Sequence, residues 1–120
     1  MEASANGWTL TLQSPGVAFA VIELDRTLPE PGRMLEAALA AWRSEYRDVE
    51  AEPALEAVCG EVALGHEVEL LAMDLPVLCW TRSFHGPAGT VLVVCQVPDL
   101  EREEHEPALR QLTSAMRIEE

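Results

Sequence analysis

Lysine is absent from the 120-residue chain, and all eight basic residues are arginines. Schiff-base chemistry, a phosphate-loop lysine and lysine general bases are thereby excluded together. Positive charge is scarce as well, since 8 arginines stand against 21 Asp and Glu for a formal net charge of -13. Such a surface does not hold phosphate backbones by counterion release, so neither nucleic acid nor an anionic membrane is expected as a partner. Cysteine is limited to Cys59, Cys79 and Cys95, too few and too widely spaced for a secreted disulfide framework and without a C-x-x-C pair. Free thiols are expected. No apolar run approaches the roughly 20 residues that span a bilayer. Met1-Glu2-Ala3-Ser4 has neither the basic nor the apolar region of a signal peptide. The expected compartment is the cytoplasm, and the arginine-only, alanine- and glutamate-rich composition resembles GC-rich bacterial coding.

What is present is apolar: 48% of residues, with 24% charged, fits one domain over residues 7–120 behind a disordered tail at 1–6. Trp8, Leu10 and Leu12 alternate with polar residues as in a half-buried strand. Ser14-Pro15-Gly16 breaks that run before a second strand, Val17 to Leu24, which is apolar on both parities. After the rigid Leu28-Pro29-Glu30-Pro31-Gly32 connector, Leu35, Leu39, Trp42 and Tyr46 recur at helical spacing. Val49 to Cys59 returns to period two with one acidic face, and Pro53 marks it as an edge strand. Strands follow over Val62–Leu70, Val77–Phe84 and Thr90–Val97, the last nearly all apolar and expected to be central. A C-terminal helix is predicted with Pro107 in its first turn, while Leu100 to Glu106 reads as either an extra helical turn or an acidic loop. The predicted fold is α+β: an antiparallel six-stranded sheet with helices packed on it, in the order ββαββββα.

Three stretches carry a family resemblance. They are Trp8-Thr9-Leu10 with its Ser14-Pro15-Gly16 turn, the strand Val91-Leu92-Val93-Val94-Cys95-Gln96, and the ending Leu109-Arg110-Gln111-Leu112-Thr113-Ser114-Ala115-Met116-Arg117-Ile118. Together with the element order, they resemble the PsbP-like fold, shared by the photosystem subunit PsbP, a Ran-binding nuclear import factor and bacterial chaperones of type VI secretion effectors. The resemblance implies an antiparallel sheet sandwiched by helices and a non-catalytic binding or assembly role. It assigns no role to any single residue.

Trp80, Arg82 and Phe84 project to one side of a predicted strand, and these residue types are enriched in binding hot spots. They are candidates for a protein or peptide partner site; the alternative places Trp80 and Phe84 under a covering helix with Arg82 snorkelling out between them. Cys79, His85 and Asp74 compose a conceivable nucleophile set, which would make a thiol-dependent hydrolase, but Val77-Leu78-Cys79-Trp80 reads more simply as core. His66, His85 and His105 lack metal-ligand spacing, so no metal and no other cofactor is expected. Glu50, Glu52 and Glu56, then Glu61, Glu67 and Glu69, form acidic rows that read as a solubilising face. The sequence therefore predicts a binding or adaptor module, monomeric or homodimeric, with a structural homo-oligomer subunit as a further alternative. Carboxylates kept ionised by hydrogen bonds or arginine pairing predict a loss of stability below about pH 5, whereas glutamates crowded against one another would gain stability on protonation.

Overall fold

The computed structural model describes residues 2–13, 18–58 and 60–115, with side chains to residue 113. The Ser14-Pro15-Gly16 turn, Cys59 and the Met116–Ile118 ending lie outside the described residues. The elements run β1 (Glu2–Ser4), β2 (Gly7–Gln13), β3 (Phe19–Asp25), α1 (Pro31–Glu45), β4 (Glu50–Val58), β5 (Glu61–Ala72), β6 (Leu75–His85), β7 (Thr90–Pro98), a 3-10 turn (Asp99–Glu101) and α2 (Arg102–Ala115). All seven strands form one antiparallel sheet in the order β1-β2-β3-β7-β6-β5-β4. The α+β class and the antiparallel sheet are as the sequence predicts.

The strand count differs. Six strands were expected, and the seventh is β1, inside the segment read as a tail, where Glu2, Ala3 and Ser4 pair with Thr9, Trp8 and Gly7. All three β1 residues are exposed, so the strand is held by backbone pairing, which leaves no apolar pattern to read. The C-terminal helix also begins earlier than Pro107. Helix covers Arg102 to Glu106, preceded by the 3-10 turn, and Glu103 and Glu104 place negative charge at its positive end. Pro107 sits inside α2, where it deprives the Glu103 carbonyl of a donor.

β7 occupies the centre of the sheet and β4, with Pro53, one edge. The β5–β6 hairpin turns through Met73 and Asp74, both at positive φ (54° and 65°), between the paired Ala72 and Leu75. That is the two-residue turn whose twist matches its strands. Along β6 the side chains alternate, so Leu78, Trp80, Arg82 and Phe84 face one way and Val77, Cys79, Thr81 and Ser83 the other. On the Cys79 face, Leu39 and Trp42 of α1 pack with Val68, Leu70, Val77 and Cys79. Leu35, Leu39 and Trp42 are all buried, as their spacing predicts. The Trp80 face carries the larger core, in which Ala20, Ile22, Leu24, Val91, Val93 and Val97 join Trp80 and Phe84. α2 lies over part of that face, bringing Leu109 and Thr113 to it.

Candidate functional site

Trp80, Arg82 and Phe84 do share a face, and all three are buried there. None offers surface to a partner in this arrangement. Trp80 and Phe84 belong to the core, but Arg82 does not snorkel out between them. It is only 5% exposed and its guanidinium is consumed by the sheet. Nε donates to Glu56 Oε1 at 2.7 Å, Nη2 to Glu67 Oε2 at 2.7 Å, and Nη1 to the carbonyls of Thr81 at 2.7 Å and His66 at 3.4 Å. Register explains the placement: Gly65 lies opposite Arg82 and Glu67 opposite Trp80, while Ala63 lies opposite Glu56. The missing Cβ at Gly65 makes the room, since a Cβ there would stand 2.9 Å from both Arg82 Cδ and Nη1.

Above this layer, Arg110 of α2 grips Glu67 with both nitrogens, Nη2 to Oε1 at 2.6 Å and Nη1 to Oε2 at 2.9 Å. Its guanidinium carbon sits 3.9 Å from the centroid of the Trp80 ring. The result is a stack of Trp80, Arg110 and Glu67 fastened to Arg82 and Glu56, a bidentate and aromatic cradle of the kind guanidinium groups fit. Two of the six glutamates read as a solubilising face thus bind arginine. Of the other four, Glu50 pairs opposite Glu69, Glu52 opposite Glu67 and Glu61 opposite Val58.

Burial alone would favour the neutral Glu67 acid, but hydrogen bonds and charge from Arg110 and Arg82 outweigh it and hold the carboxyl below its ordinary value of 4.5. A depressed folded pKa contributes stability that is complete above the unfolded value and is lost as pH falls through the folded one. Melting temperature is therefore expected to drop as pH falls below about 4.5. Glu67→Gln should flatten part of that drop; an unchanged acid limb in the variant would assign it to other carboxylates.

The Cys79, His85 and Asp74 set is not assembled. Cys79 lies under α1, six residues along β6 from His85, a separation of roughly 20 Å. His85 instead meets Thr90 Oγ1 through Nδ1 at 3.2 Å. Desolvation, with the nearby Cys95, pushes the Cys79 thiol up to about 12. Desolvation likewise raises Cys95 to about 11, against the hydrogen bond to Thr113 and the charges of Arg110 and Arg82. The β6–β7 loop has four residues, because His85 pairs with Thr90, and that register sets Gln96 opposite Cys79 and Cys95 opposite Trp80. The two sulfurs lie on opposite faces. Both thiols should label slowly in the native protein at pH 7 and rapidly in denaturant, as peptide mapping after alkylation would show. Fast native labelling of Cys79 would contradict its burial. Among the described residues no three His, Cys, Asp or Glu side chains converge in a metal-binding group, and no helix is long and apolar enough to cross a membrane.

The exposed counterpart to this buried site lies on the opposite face, at the β4 edge. Leu55 and Leu64 are directly paired, with Ala57 and Val62 the next pair on that face. Leu55 is 70% exposed, Val62 73% and Leu64 45%. Beside them a groove of about 580 Å3 runs between β4–β5 and the start of α1, lined by Leu35, Pro53, Leu55, Leu64 and His66. His66 Nδ1 is buried with no partner among the described residues. Sequence periodicity pointed to none of this. The alternation over Val49–Cys59 and Val62–Leu70 implies an apolar strand face but not that α1 stops short of covering Leu55, Val62 and Leu64.

No family model matches the chain, and no curated protein matches it. Among solved structures, the chain is similar to the crystal structure of PA94, a protein of unknown function from Pseudomonas aeruginosa. The TM-score is 0.70 at 11% identity over 98% of this chain and 88% of that one. At that identity the similarity shows a shared fold.

Proposed function

We propose that this is a cytoplasmic, non-catalytic binding or adaptor module of PsbP-like fold, whose partner is a protein or peptide. The observation that carries the reading is the uncovered Leu55, Val62 and Leu64 surface beside the groove at the start of α1. Contiguous apolar surface of this sort on a small domain marks an interaction site. With a net charge of -13, the favoured partner segment places positive charge around an apolar ridge. The absence of an assembled Cys79–His85 pair supports binding over thiol catalysis.

The test uses a synthetic amphipathic peptide of leucine and arginine and its leucine and glutamate counterpart, with binding followed by calorimetry. The basic peptide should bind and the acidic one should not. A Leu55→Ser and Val62→Ser double variant should lose that binding while melting unchanged, because both side chains are already in water. Equal binding to the variant would remove this face from consideration. The homo-oligomer alternative would use the same surface, and light scattering that gives a dimer abolished by the same variant would favour it.

A further inference from the structure

We propose that the Trp80 ring and the Glu67 carboxylate form a guanidinium-binding site, occupied in cis by Arg110, which an arginine of a protein partner takes over when α2 lifts from the sheet. The site lies on the face opposite the Leu55 surface and does not depend on that reading.

The receptor is built by the sheet alone. Glu67 is oriented by Arg82 Nη2, and Arg82 is itself fixed by Glu56 and by the carbonyls of Thr81 and His66. None of these contacts involves α2, so the carboxylate and ring stay arranged for a cation after Arg110 leaves. Trp80 is fully buried beneath Arg110, and its indole N–H has no acceptor among the described residues. The geometry also selects the ligand. A planar group can lie on the ring and meet both oxygens of one carboxylate, whereas an ammonium is a strongly hydrated point charge.

The cover is held differently from the rest of the fold. A helix docked for stability alone presents an apolar stripe, and α1 does so with Leu35, Leu39 and Trp42. Of the described side chains of α2, only Thr113 is buried; Leu109 is half-buried and Leu112 is exposed. Among the described side chains of α2, the Arg110 clamp is the tightest polar tie to the sheet, and it is a contact that another guanidinium can replace one for one. A segment with little buried apolar surface opens locally at lower free energy than the core. The two buried thiols report on this separately, because Cys95 touches Thr113 of α2 at 3.7 Å while Cys79 lies beneath α1.

Arg110→Ala empties the site. Titrating this variant with methylguanidinium, and separately with a capped Ala-Arg-Ala peptide, should produce a saturable shift of the Trp80 indole N–H resonance in 15N-labelled protein and raise the melting temperature. Methylammonium and the corresponding Ala-Lys-Ala peptide should do neither, and the wild-type protein, whose site is filled, should not respond to methylguanidinium. Cys95 should label faster than Cys79 in the wild type. Arg110→Ala should accelerate Cys95 severalfold and leave Cys79 unchanged, and methylguanidinium should reverse the acceleration. An identical response to guanidinium and ammonium, or Cys95 and Cys79 accelerating in step, would reduce Arg110 to a structural ion pair and overturn the proposal. Should Arg110→Ala not fold, Arg110→Lys keeps a charge over the ring and must show the same selectivity for methylguanidinium.

Discussion

Replacing Arg82 by alanine is expected to destabilise the fold by about 3 kcal/mol, the lower end of what breaking a buried charge pair costs. The lower end applies because Glu56 and Glu67 keep about a third of their exposure, with side chains 29% and 33% accessible, and because Glu67 retains Arg110. Glu56 keeps only the more distant charge of Arg110, with no other hydrogen bond or salt bridge among the described residues, and the Thr81 carbonyl loses its 2.7 Å donor. The alkyl stem of Arg82 is lost from a buried position as well. Urea denaturation should show the midpoint fall at an unchanged slope. Arg82→Lys should recover little, since one ammonium cannot reach acceptors arrayed around a planar fork. Glu56→Gln should cost less than Arg82→Ala because it keeps an acceptor for Nε. A loss under about 1 kcal/mol for Arg82→Ala would place the network among solvated surface pairs.

This network shows where sequence periodicity stops. The anchors of α1 were legible because Leu35, Leu39 and Trp42 announce one buried face by spacing alone. The hairpins over β4 to β7 were legible because alternation and turn residues agree. Arg82 was recognisable only as a polar residue between Trp80 and Phe84, and nothing local distinguishes an arginine that reaches solvent from one met by two carboxylates on neighbouring strands. That distinction depends on register, which brings Glu67 beside Trp80 and Gly65 beside Arg82. The same holds for the glutamate rows: Glu50, Glu52, Glu61 and Glu69 are exposed as a solubilising face requires, while Glu56 and Glu67 are drawn to Arg82, which lies diagonal to them across the sheet. Register likewise decides the cysteines, because a loop one residue longer would have brought Cys79 and Cys95 onto the same face. β1 escaped notice because its exposed residues carry no apolar signal, and the uncovered Leu55 surface because the reach of α1 is a tertiary fact.

Gly65→Ala should be about as damaging as losing Arg82, at about 3 kcal/mol, although it adds a single methyl group. A Cβ at Gly65 would fall within the Thr81 carbonyl oxygen and stand 2.9 Å from both Arg82 Cδ and Nη1. The carbonyl belongs to β6 and cannot swing aside without disturbing the β5–β6 pairing, while the Arg82 side chain can retreat only by releasing Glu56 or Glu67. Gly32→Ala is the matched control, because a Cβ at Gly32 near the start of α1 meets nothing within 4 Å. It should be neutral or stabilising by up to about 1 kcal/mol, as expected for removing a helical glycine. The double variant Gly65→Ala with Arg82→Ala separates the two sources of strain. If the new methyl acts mainly by displacing Arg82, the second substitution removes what the first one disturbs, and the pair should cost clearly less than the sum of the single losses. Strict additivity would mean that the methyl acts through the Thr81 carbonyl alone and that Gly65 is required by the backbone of the sheet, independently of the arginine beside it.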